Sequence, residues 1–318
     1  KSWKNVTPPA ITAWSKISMI EASHTNTKIA YAAVNRIRCD DMQPHIYKTT
    51  DGGISWKEII NGLPNDPINT VKEDPLRPGL LFAGSERAVY VSFDDGEHWQ
   101  SLRINMPATS IRDLVIKDDD LVVGTHGRGF WILDNITPLR QLSNNLAKAK
   151  AVLYKPQNTY RVRWNMNTDT PIPQEEPAGQ NPPDGAMIDY YLQDAATTPV
   201  ALTISDAKGN VIRTFSSSDT LYTIPPVNIP LYWVRPQQLL SAGAGAHRFL
   251  WDMRYEPLNI PASYPIAAVY KNTSPVPTAP YVMPGLYTVK LTVNGVSFTQ
   301  QFAIKMDPRV KTSIAQLQ

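Results

Sequence analysis

Three acidic residues of this chain are candidates for acid–base chemistry: Glu73, Asp113 and Asp134. Each lies in or directly after a short apolar run, where a strand would hold its carboxylate in place. Cleavage of a glycosidic bond needs two carboxyl groups about 5 to 9.5 Å apart, one of them as a proton donor. Whether any two of the three face each other depends on the fold, so they are weak catalytic candidates.

The glycine-rich string GTHGRG at residues 124–129 is a candidate for ligand binding. Its glycines allow tight turns, which place His126 and Arg128 on a loop between two predicted strands. There His126 could donate a hydrogen bond or carry a proton, and Arg128 could hold a carboxylate or a sulfate. The alternative interpretation is structural, with Arg128 buried in a hydrogen-bond network between neighbouring strands.

Other clusters suggest no cofactor and no metal. Asp118, Asp119 and Asp120 are consecutive, but they fall at a predicted hairpin turn and lack the alternating oxygen ligands of a calcium loop. Cys39 is the single cysteine, which excludes a disulfide framework and a cysteine-based metal cluster. Sugars could stack on tryptophans outside the repeated turns described below, although most of these are expected in the core: Trp3, Trp14, Trp164 and Trp233.

Composition bounds the fold and the partners. With 318 residues and 42% hydrophobic content the chain is long enough for two domains with a core in each. The 31 basic and 28 acidic residues are interspersed, so we expect no nucleic-acid partner. No apolar run approaches the roughly 20 residues that span a bilayer. The 28 prolines, 14 tyrosines and 8 tryptophans favour a loop-rich, all-β protein.

An internal repeat organises residues 1–142. Apolar runs start at Ile17, Ile68 and Ile111, and in each unit a second and a third run follow. The first two units continue with a turn, a tryptophan and a fourth run. Four short strands at a period of about 40 to 50 residues are typical of β-propeller blades. We therefore predict about three blades, with the candidate residues at their strand ends and loops.

The turn before the fourth strand has nearly the same sequence twice, as TTDGGISW at residues 49–56 and SFDDGEHW at 92–99. We predict that the aspartate accepts backbone hydrogen bonds, that the glycine has a positive φ, and that the tryptophan packs between blades. This clamp would be structural and not catalytic. Its residues are Thr49, Asp51, Gly53, Ser55 and Trp56 in the first unit, and Ser92, Asp94, Gly96 and Trp99 in the second.

These residues resemble the Asp-box, Ser/Thr-x-Asp-x-Gly-x-Thr/Ser-Trp, of sialidases, xyloglucanases and sortilin-type propellers. His98 stands at the usual Thr/Ser position, and the third unit has Leu133 and Asn135 where Ser and Asp would stand. Residues 73–99 and 120–142 resemble the last blades of secreted bacterial proteins called sortilin-like or BNR-repeat glycosyl hydrolases. Residues 209–215, 247–256 and 284–295 are similar to the β-sandwich that follows the propeller in those proteins.

The second half is predicted as a linker with a proline-rich loop over 143–186, an Ig-like β-sandwich over 187–308, and a tail over 309–318. Two hairpins define the sandwich. One turns at Asp206–Asn210 with Gly209 at positive φ, and the other turns at Asn294 and Gly295, the preferred type I′ pair. The expected fold class is thus all-β: a partial propeller of about three Asp-box blades followed by an Ig-like sandwich.

The resemblance implies a C-terminal portion of a secreted, periplasmic or cell-surface protein. Since propellers have 4 to 8 blades, the open edges would be covered by a missing N-terminal segment, another chain or a homo-oligomer. The complete propeller would bind a glycan or a polypeptide. The alternatives are a xyloglucanase-like glycoside hydrolase with paired carboxylates, an activity implied by the resemblance only, and a non-catalytic assembly module of a cell-envelope complex.

Overall fold

The computed structural model describes residues 2–143, 148–162, 175, 179, 181–224, 226, 229–257, 273 and 278–317. The chain divides into two compact units, Lys1–Leu142 and Ser143–Gln318. The regular secondary structure of both is mostly strand, and the described residues also include two short α-helices, α1 (Thr137–Gln141) and α2 (Ile314–Leu317). This confirms the predicted all-β class. Within the described residues, no helix has the length and apolar character that a bilayer crossing requires.

The first unit consists of strands that pair in the order of the chain. They are β1 (Lys16–Ala22), β2 (Ala30–Asn35), β3 (Ile46–Thr49), β4 (Lys57–Glu58), β5 (Ile68–Glu73), β6 (Leu81–Ser85), β7 (Val89–Ser92), β8 (Gln100–Ser101), β9 (Ser110–Lys117), β10 (Asp120–His126) and β11 (Phe130–Leu133). Strands β1–β4 form blade 1, β5–β8 form blade 2, and β9–β11 form blade 3. Every neighbouring pair is antiparallel, as in propeller blades.

The blades pack face to face through alternating apolar side chains. In blade 2, Leu81 and Ala83 belong to a core shared with blade 1, whereas Phe82 belongs to a core shared with blade 3. Because successive residues of a strand point to opposite faces, one strand serves two interfaces. Gly84 shows how close the blades lie: a Cβ atom added there would come within 2.5 Å of Ile111.

Blade 3 has a free apolar face. Phe130 is 82% exposed, and Ile132 and Val115 on the same face of the sheet are also exposed. The opposite face, with Leu121 and Val123, is buried against blade 2. Among the described residues blade 3 has no fourth strand, so β11 is also the edge of its sheet.

Helix α1 and its arginine attach the end of blade 3 to blade 2. Arg140 is largely buried, and its Nε atom lies 2.8 Å from an oxygen of the fully buried Asp74. The same guanidinium pairs with Asp119 and donates to the backbone oxygen of Asp118, 2.8 Å away. These contacts occupy part of the acidic turn, which forms the β9–β10 hairpin with Asp118 at positive φ.

The second unit is a two-layer sandwich. Its strands are β12 (Ala151–Leu153), β13 (Thr159–Arg161), β14 (Ala186–Leu192), β15 (Ala201–Asp206), β16 (Val211–Ser216), β17 (Gly245–Trp251), β18 (Gly285–Val293) and β19 (Val296–Met306). One sheet has the order β12-β14-β17 and the other β13-β19-β18-β15-β16. Both contribute to one core around Trp251, and Ig-like membership of the sandwich stays a prediction.

The sequence predicted two hairpins and a linker for this unit, and the structure agrees with the hairpins but not with all of the linker. The hairpins at Gly209 and at Asn294–Gly295 are confirmed, since all three residues have positive φ and the flanking strands pair. Two parts of the segment predicted as a linker over 143–186 are strands, since β12 and β13 lie in it and pair with β14 and β19. These strands are only three residues long, which is too short to show a periodicity.

Candidate ligand-binding face of the blades

Four basic side chains lie at one end of blades 2 and 3, a region we call the basic end: Arg87, Arg112, His126 and Arg128. All four are exposed. Arg87 is in the β6–β7 hairpin, Arg112 is near the start of β9, and the other two are at the β10–β11 hairpin. Thr109 connects the two hairpins, because its N–H donates to the Arg87 carbonyl (3.2 Å) and its hydroxyl to the His126 carbonyl (3.5 Å).

The GTHGRG loop is a rigid turn that presents its side chains to solvent. The Thr125 hydroxyl donates to the Gly129 carbonyl (2.7 Å) and accepts from the Arg128 N–H (3.1 Å). Gly127 and Gly129 have φ values of 91° and 67°, which only glycine adopts without strain. The buried alternative for Arg128 is therefore wrong. The structure fixes the backbone of this residue and leaves its guanidinium in solvent.

A hydrogen-bonded row of polar side chains lies beneath Arg112 and crosses all three blades. Asn35 donates to Asn69 (2.8 Å), Asn69 donates to Glu86 (3.0 Å), and Arg112 donates to the same Glu86 oxygen (3.2 Å). Burial raises the pKa of Glu86, but the adjacent Ser110 hydroxyl, the Asn69 amide and the Arg112 charge outweigh it and lower the pKa. The row holds Arg112 in place with a carboxylate that stays ionised.

Asp66 fixes the hairpin that carries Arg87. Its carboxylate accepts a hydrogen bond from the Ser85 hydroxyl, which in turn accepts the N–H groups of Arg87 (3.1 Å) and Ala88 (3.0 Å). Burial is the main cause that raises the pKa of Asp66, and the nearby charge of Glu86 adds to it. Asp66 is almost fully buried, so its role here is to shape the loop.

The structure places the three predicted acids in or next to three different strands. Glu73 is buried at the end of β5, where it accepts a hydrogen bond from the backbone N–H of His24 (2.8 Å). Asp113 is exposed within β9 and accepts the N–H of Leu114 (2.8 Å). Asp134 is half-buried directly after β11, the outermost strand of blade 3. They therefore belong to different strands, and Glu73 is inaccessible to a substrate.

The first repeated turn is closed by its own side chains. The Thr49 hydroxyl donates to Asp51 (2.9 Å) and accepts the Gly53 N–H (2.9 Å). Asp51 also accepts the N–H and the hydroxyl of Ser55, at 2.9 and 2.6 Å. The hydrogen bonds from the Ser55 side chain and backbone lower the pKa of Asp51 to about 2. Gly53 has a φ of 88°.

The second turn repeats these contacts with one replacement. Ser92 donates to Asp94 (2.9 Å) and accepts the Gly96 N–H (2.9 Å), and Gly96 has a φ of 89°. His98 takes the role of Ser55: its N–H and its Nδ1 lie 2.9 and 2.7 Å from the Asp94 carboxylate. Burial opposes ionisation of Asp94, but the hydrogen bonds from His98 and Ser92 lower its pKa.

The tryptophan of each turn donates a hydrogen bond to the backbone of the segment that precedes its blade: the residue after β4 for blade 2, and a residue before β1 for blade 1. Trp99 is only 4% exposed, and its Nε1 donates to the Ile59 carbonyl (2.9 Å). Trp56 is half-buried and donates to the Val6 carbonyl (2.8 Å). All these contacts are structural, and none leaves a carboxylate directed into a cleft.

The arrangement suits recognition of an anionic group. Arginine binds carboxylate and sulfate through paired N–H donors, and a fixed loop lowers the entropy lost on binding. Sequence reasoning identified His126 and Arg128 but missed Arg87 and Arg112. Aligning the third strands of the repeats places Arg87 and Arg128 at the same position, directly before these strands, and this signal could have identified Arg87. Within the described residues no group of three or more His, Cys, Asp or Glu side chains could hold a metal ion.

The comparisons with known proteins are weak. No protein-family model and no curated protein match the chain. A GH74 enzyme from Niastella koreensis is 11% identical, with 90% of this chain and 46% of that chain covered, at a TM-score of 0.31. A GH74 xyloglucanase from Xanthomonas campestris is 12% identical, with 55% and 27% covered, at 0.31. YCF48 bound to a D1 peptide is 16% identical, with 63% and 52% covered, at 0.28.

The chain thus spans about half or less of the length of these proteins. Likenesses at this level of identity and TM-score carry no argument about function.

Proposed function

We propose that this chain is the C-terminal portion of a secreted, periplasmic or cell-surface, sortilin-like Asp-box propeller protein. Its propeller binds an anionic group of a glycan or a polypeptide at the basic end. The observation that carries the proposal is the exposure of Arg112, His126 and Arg128, with the Arg112 side chain held by Glu86 and the loop of Arg128 closed by the Thr125 hydroxyl.

The charge balance of the basic end supports this function. Among the described residues neither His126 nor Arg128 has a hydrogen-bond or ion-pair partner for its side chain. Arg87 and Arg112 have the acidic neighbours Asp66 and Glu86, which are themselves largely enclosed. A hydrogen bond to a charged group contributes about 1.5–3 kcal/mol, so two arginines on one ligand would contribute about 3–6 kcal/mol.

Calorimetric titration of the full-length protein tests this proposal. We expect binding of polygalacturonate or of poly-glutamate, weaker at higher salt, and little binding of neutral xyloglucan. Arg128→Gln and Arg112→Gln each weaken binding about tenfold, equivalent to about 1.4 kcal/mol. Lys28→Gln is the matched control, since it removes one exposed positive charge from a loop at the opposite end of blade 1. Equal binding of neutral and acidic polymers, or an unchanged affinity of Arg128→Gln, contradicts the proposal.

Assembly is the second candidate function, favoured by the free apolar face of blade 3. Large apolar side chains grouped on one exposed face mark an interaction surface, and here they continue the inter-blade packing of blades 1–3. We propose that a further blade covers this face. Phe130→Glu in the full-length protein should lower the urea midpoint if the face is covered there, and leave it unchanged if the face is free. Catalysis is not part of the proposal, because Glu73 is buried and none of the contacts described above joins two of the predicted acids.

A further inference from the structure

The first residues of the chain repeat the sequence that opens the outer strands of the blades. Residues 2–6 read SWKNV, and residues 55–59 read SWKEI. Residues 98–102, HWQSL, keep the tryptophan and the aliphatic residue three positions later. In blades 1 and 2 this tryptophan ends the repeated turn and leads into β4 or β8. Trp3 and Val6 therefore occupy the same places in the repeat as Trp56 and Ile59.

The hydrogen bonds of the tryptophans agree with this alignment. Trp99 donates to the carbonyl of Ile59, which follows the outer strand of the preceding blade. Trp56 donates in the same way, at 2.8 Å, to the carbonyl of Val6. Val6 thus accepts the tryptophan hydrogen bond of blade 1, as Ile59 accepts that of blade 2. Ile59 follows the outer strand β4, whereas Val6 comes before β1, the first strand of blade 1.

The glycines of the repeated turns agree as well. A Cβ atom on Gly96 would overlap the Ile59 side chain, and a Cβ atom on Gly53 would lie 2.9 Å from the Val6 Cβ. Each turn therefore lies directly against the aliphatic residue of the preceding outer strand. Two contacts of Val6, the hydrogen bond from Trp56 and the close approach to Gly53, are thus those that a residue after an outer strand makes.

Trp3 lacks the surroundings that its equivalents have. It is 100% exposed, whereas Trp56 is half-buried and Trp99 is 4% exposed. A fully exposed tryptophan at a position that is half-buried in blade 1 and buried in blade 2 suits a covering element outside the described residues.

We infer that residues 2–6 are the outer strand of a further Asp-box blade, whose other strands belong to the polypeptide directly preceding Ser2. That segment covers Trp3 and pairs with Lys4 and Asn5, as β3 pairs with β4. The box aspartate and glycine stand five and three residues before Trp3, as Asp51 and Gly53 stand before Trp56. This inference rests on the propeller part of the proposed function and not on the ligand.

Trp3→Ala tests the inference in two forms of the protein, the 318-residue chain and the full-length protein with its natural preceding residues. We expect the substitution to leave the urea midpoint of the short chain unchanged and to lower that of the full-length protein about as much as Trp56→Ala. Trp14→Ala is the control, because Trp14 is 92% exposed but lies in the connection to β1, outside the repeat of the box.

Three results overturn the inference. The first is a neutral Trp3→Ala in the full-length protein, and the second is a preceding sequence without the aspartate and glycine at the stated positions. The third is a short chain that dimerises by light scattering with Trp3 protected from acrylamide quenching, which assigns the surface to a second copy. Titration with the acidic polymers is scored separately, so a failure of ligand binding leaves this inference standing.

Discussion

The repeated turns of blades 1 and 2 have the same internal hydrogen bonds but different surroundings. In both, a hydroxyl and an aspartate satisfy the turn backbone at nearly equal distances. Trp99, however, is inserted between two complete four-stranded sheets, whereas Trp56 packs against a single segment through Val6. The comparison separates two contributions to the stability of the fold. One comes from the hydrogen bonds that close the turn, and the other comes from the neighbouring segment that the tryptophan contacts.

In blade 3 the segment after the third strand is stabilised by different contacts. It has Asn135 where the repeated turns of blades 1 and 2 have aspartate, and the Asn135 side chain accepts the Thr137 N–H at 3.1 Å at the start of α1. Arg140 then joins Asp74 of blade 2 to Asp119 of blade 3. A buried ion pair thus replaces the buried tryptophan as the contact to the preceding blade.

The largest expected effect is at Trp99. Trp99→Ala removes a buried aromatic side chain and should lower the free energy of unfolding by about 3–5 kcal/mol. Trp56→Ala should cost only about 1–2 kcal/mol, because a half-buried side chain removes less area from water. Urea denaturation of both variants measures the difference. An equal loss of unfolding free energy in the two variants would show that the neighbouring blade adds nothing to the stability of the tryptophan contact.

Arg140→Ala should come next, at about 3 kcal/mol, because it leaves Asp74 buried without its cation. Adding Asp74→Asn to this variant should recover part of the loss, since the uncompensated charge is then removed. Circular dichroism in urea reports both values. Lys117→Ala is the control, because the Lys117–Asp118 pair is exposed and is expected to be nearly neutral.

The hydroxyls of the two turns should have smaller and similar effects. Thr49→Ala and Ser92→Ala each leave the N–H of a buried glycine without its acceptor, at a cost of about 1–2 kcal/mol. Thr49→Ser keeps the hydroxyl and is the matched control for the lost methyl group. If Thr49→Ala and Ser92→Ala differed by more than the two tryptophan variants, internal closure would not be equivalent in the two turns.

The smallest effect is a dependence on pH. The folded pKa values of Asp51, about 2, and of Asp94 are lower than the ordinary value, so both carboxylates stabilise the fold when they are ionised. Their contribution is present above about pH 4 and is lost as the pH falls through the folded pKa. Asp51→Asn should therefore destabilise the protein at neutral pH and converge with wild type near pH 2. Urea midpoints at several pH values measure this, and a constant difference would argue against it.

Much of the fold could be predicted because its signals are local. The three apolar runs per unit, the turn residues and Asn294-Gly295 require only short-range pattern and positive φ. Strands β12 and β13 could not be predicted, because three residues show no periodicity and their pairing partners lie far along the chain. Arg140 was missed for a similar reason, since Asp74 is 66 residues away.

The sequence by itself determined the β class, the blade repeat and the closure of the two turns, because all of these depend on residues within a few positions of one another. Only the tertiary structure decided which carboxylates are buried, which arginines gather at the basic end, and that the guanidinium of Arg128 is in solvent. Burial and charge clustering arise from contacts between blades, and such contacts join residues that no local pattern relates. The same distinction explains why Trp56 and Trp99 share a motif and differ in environment.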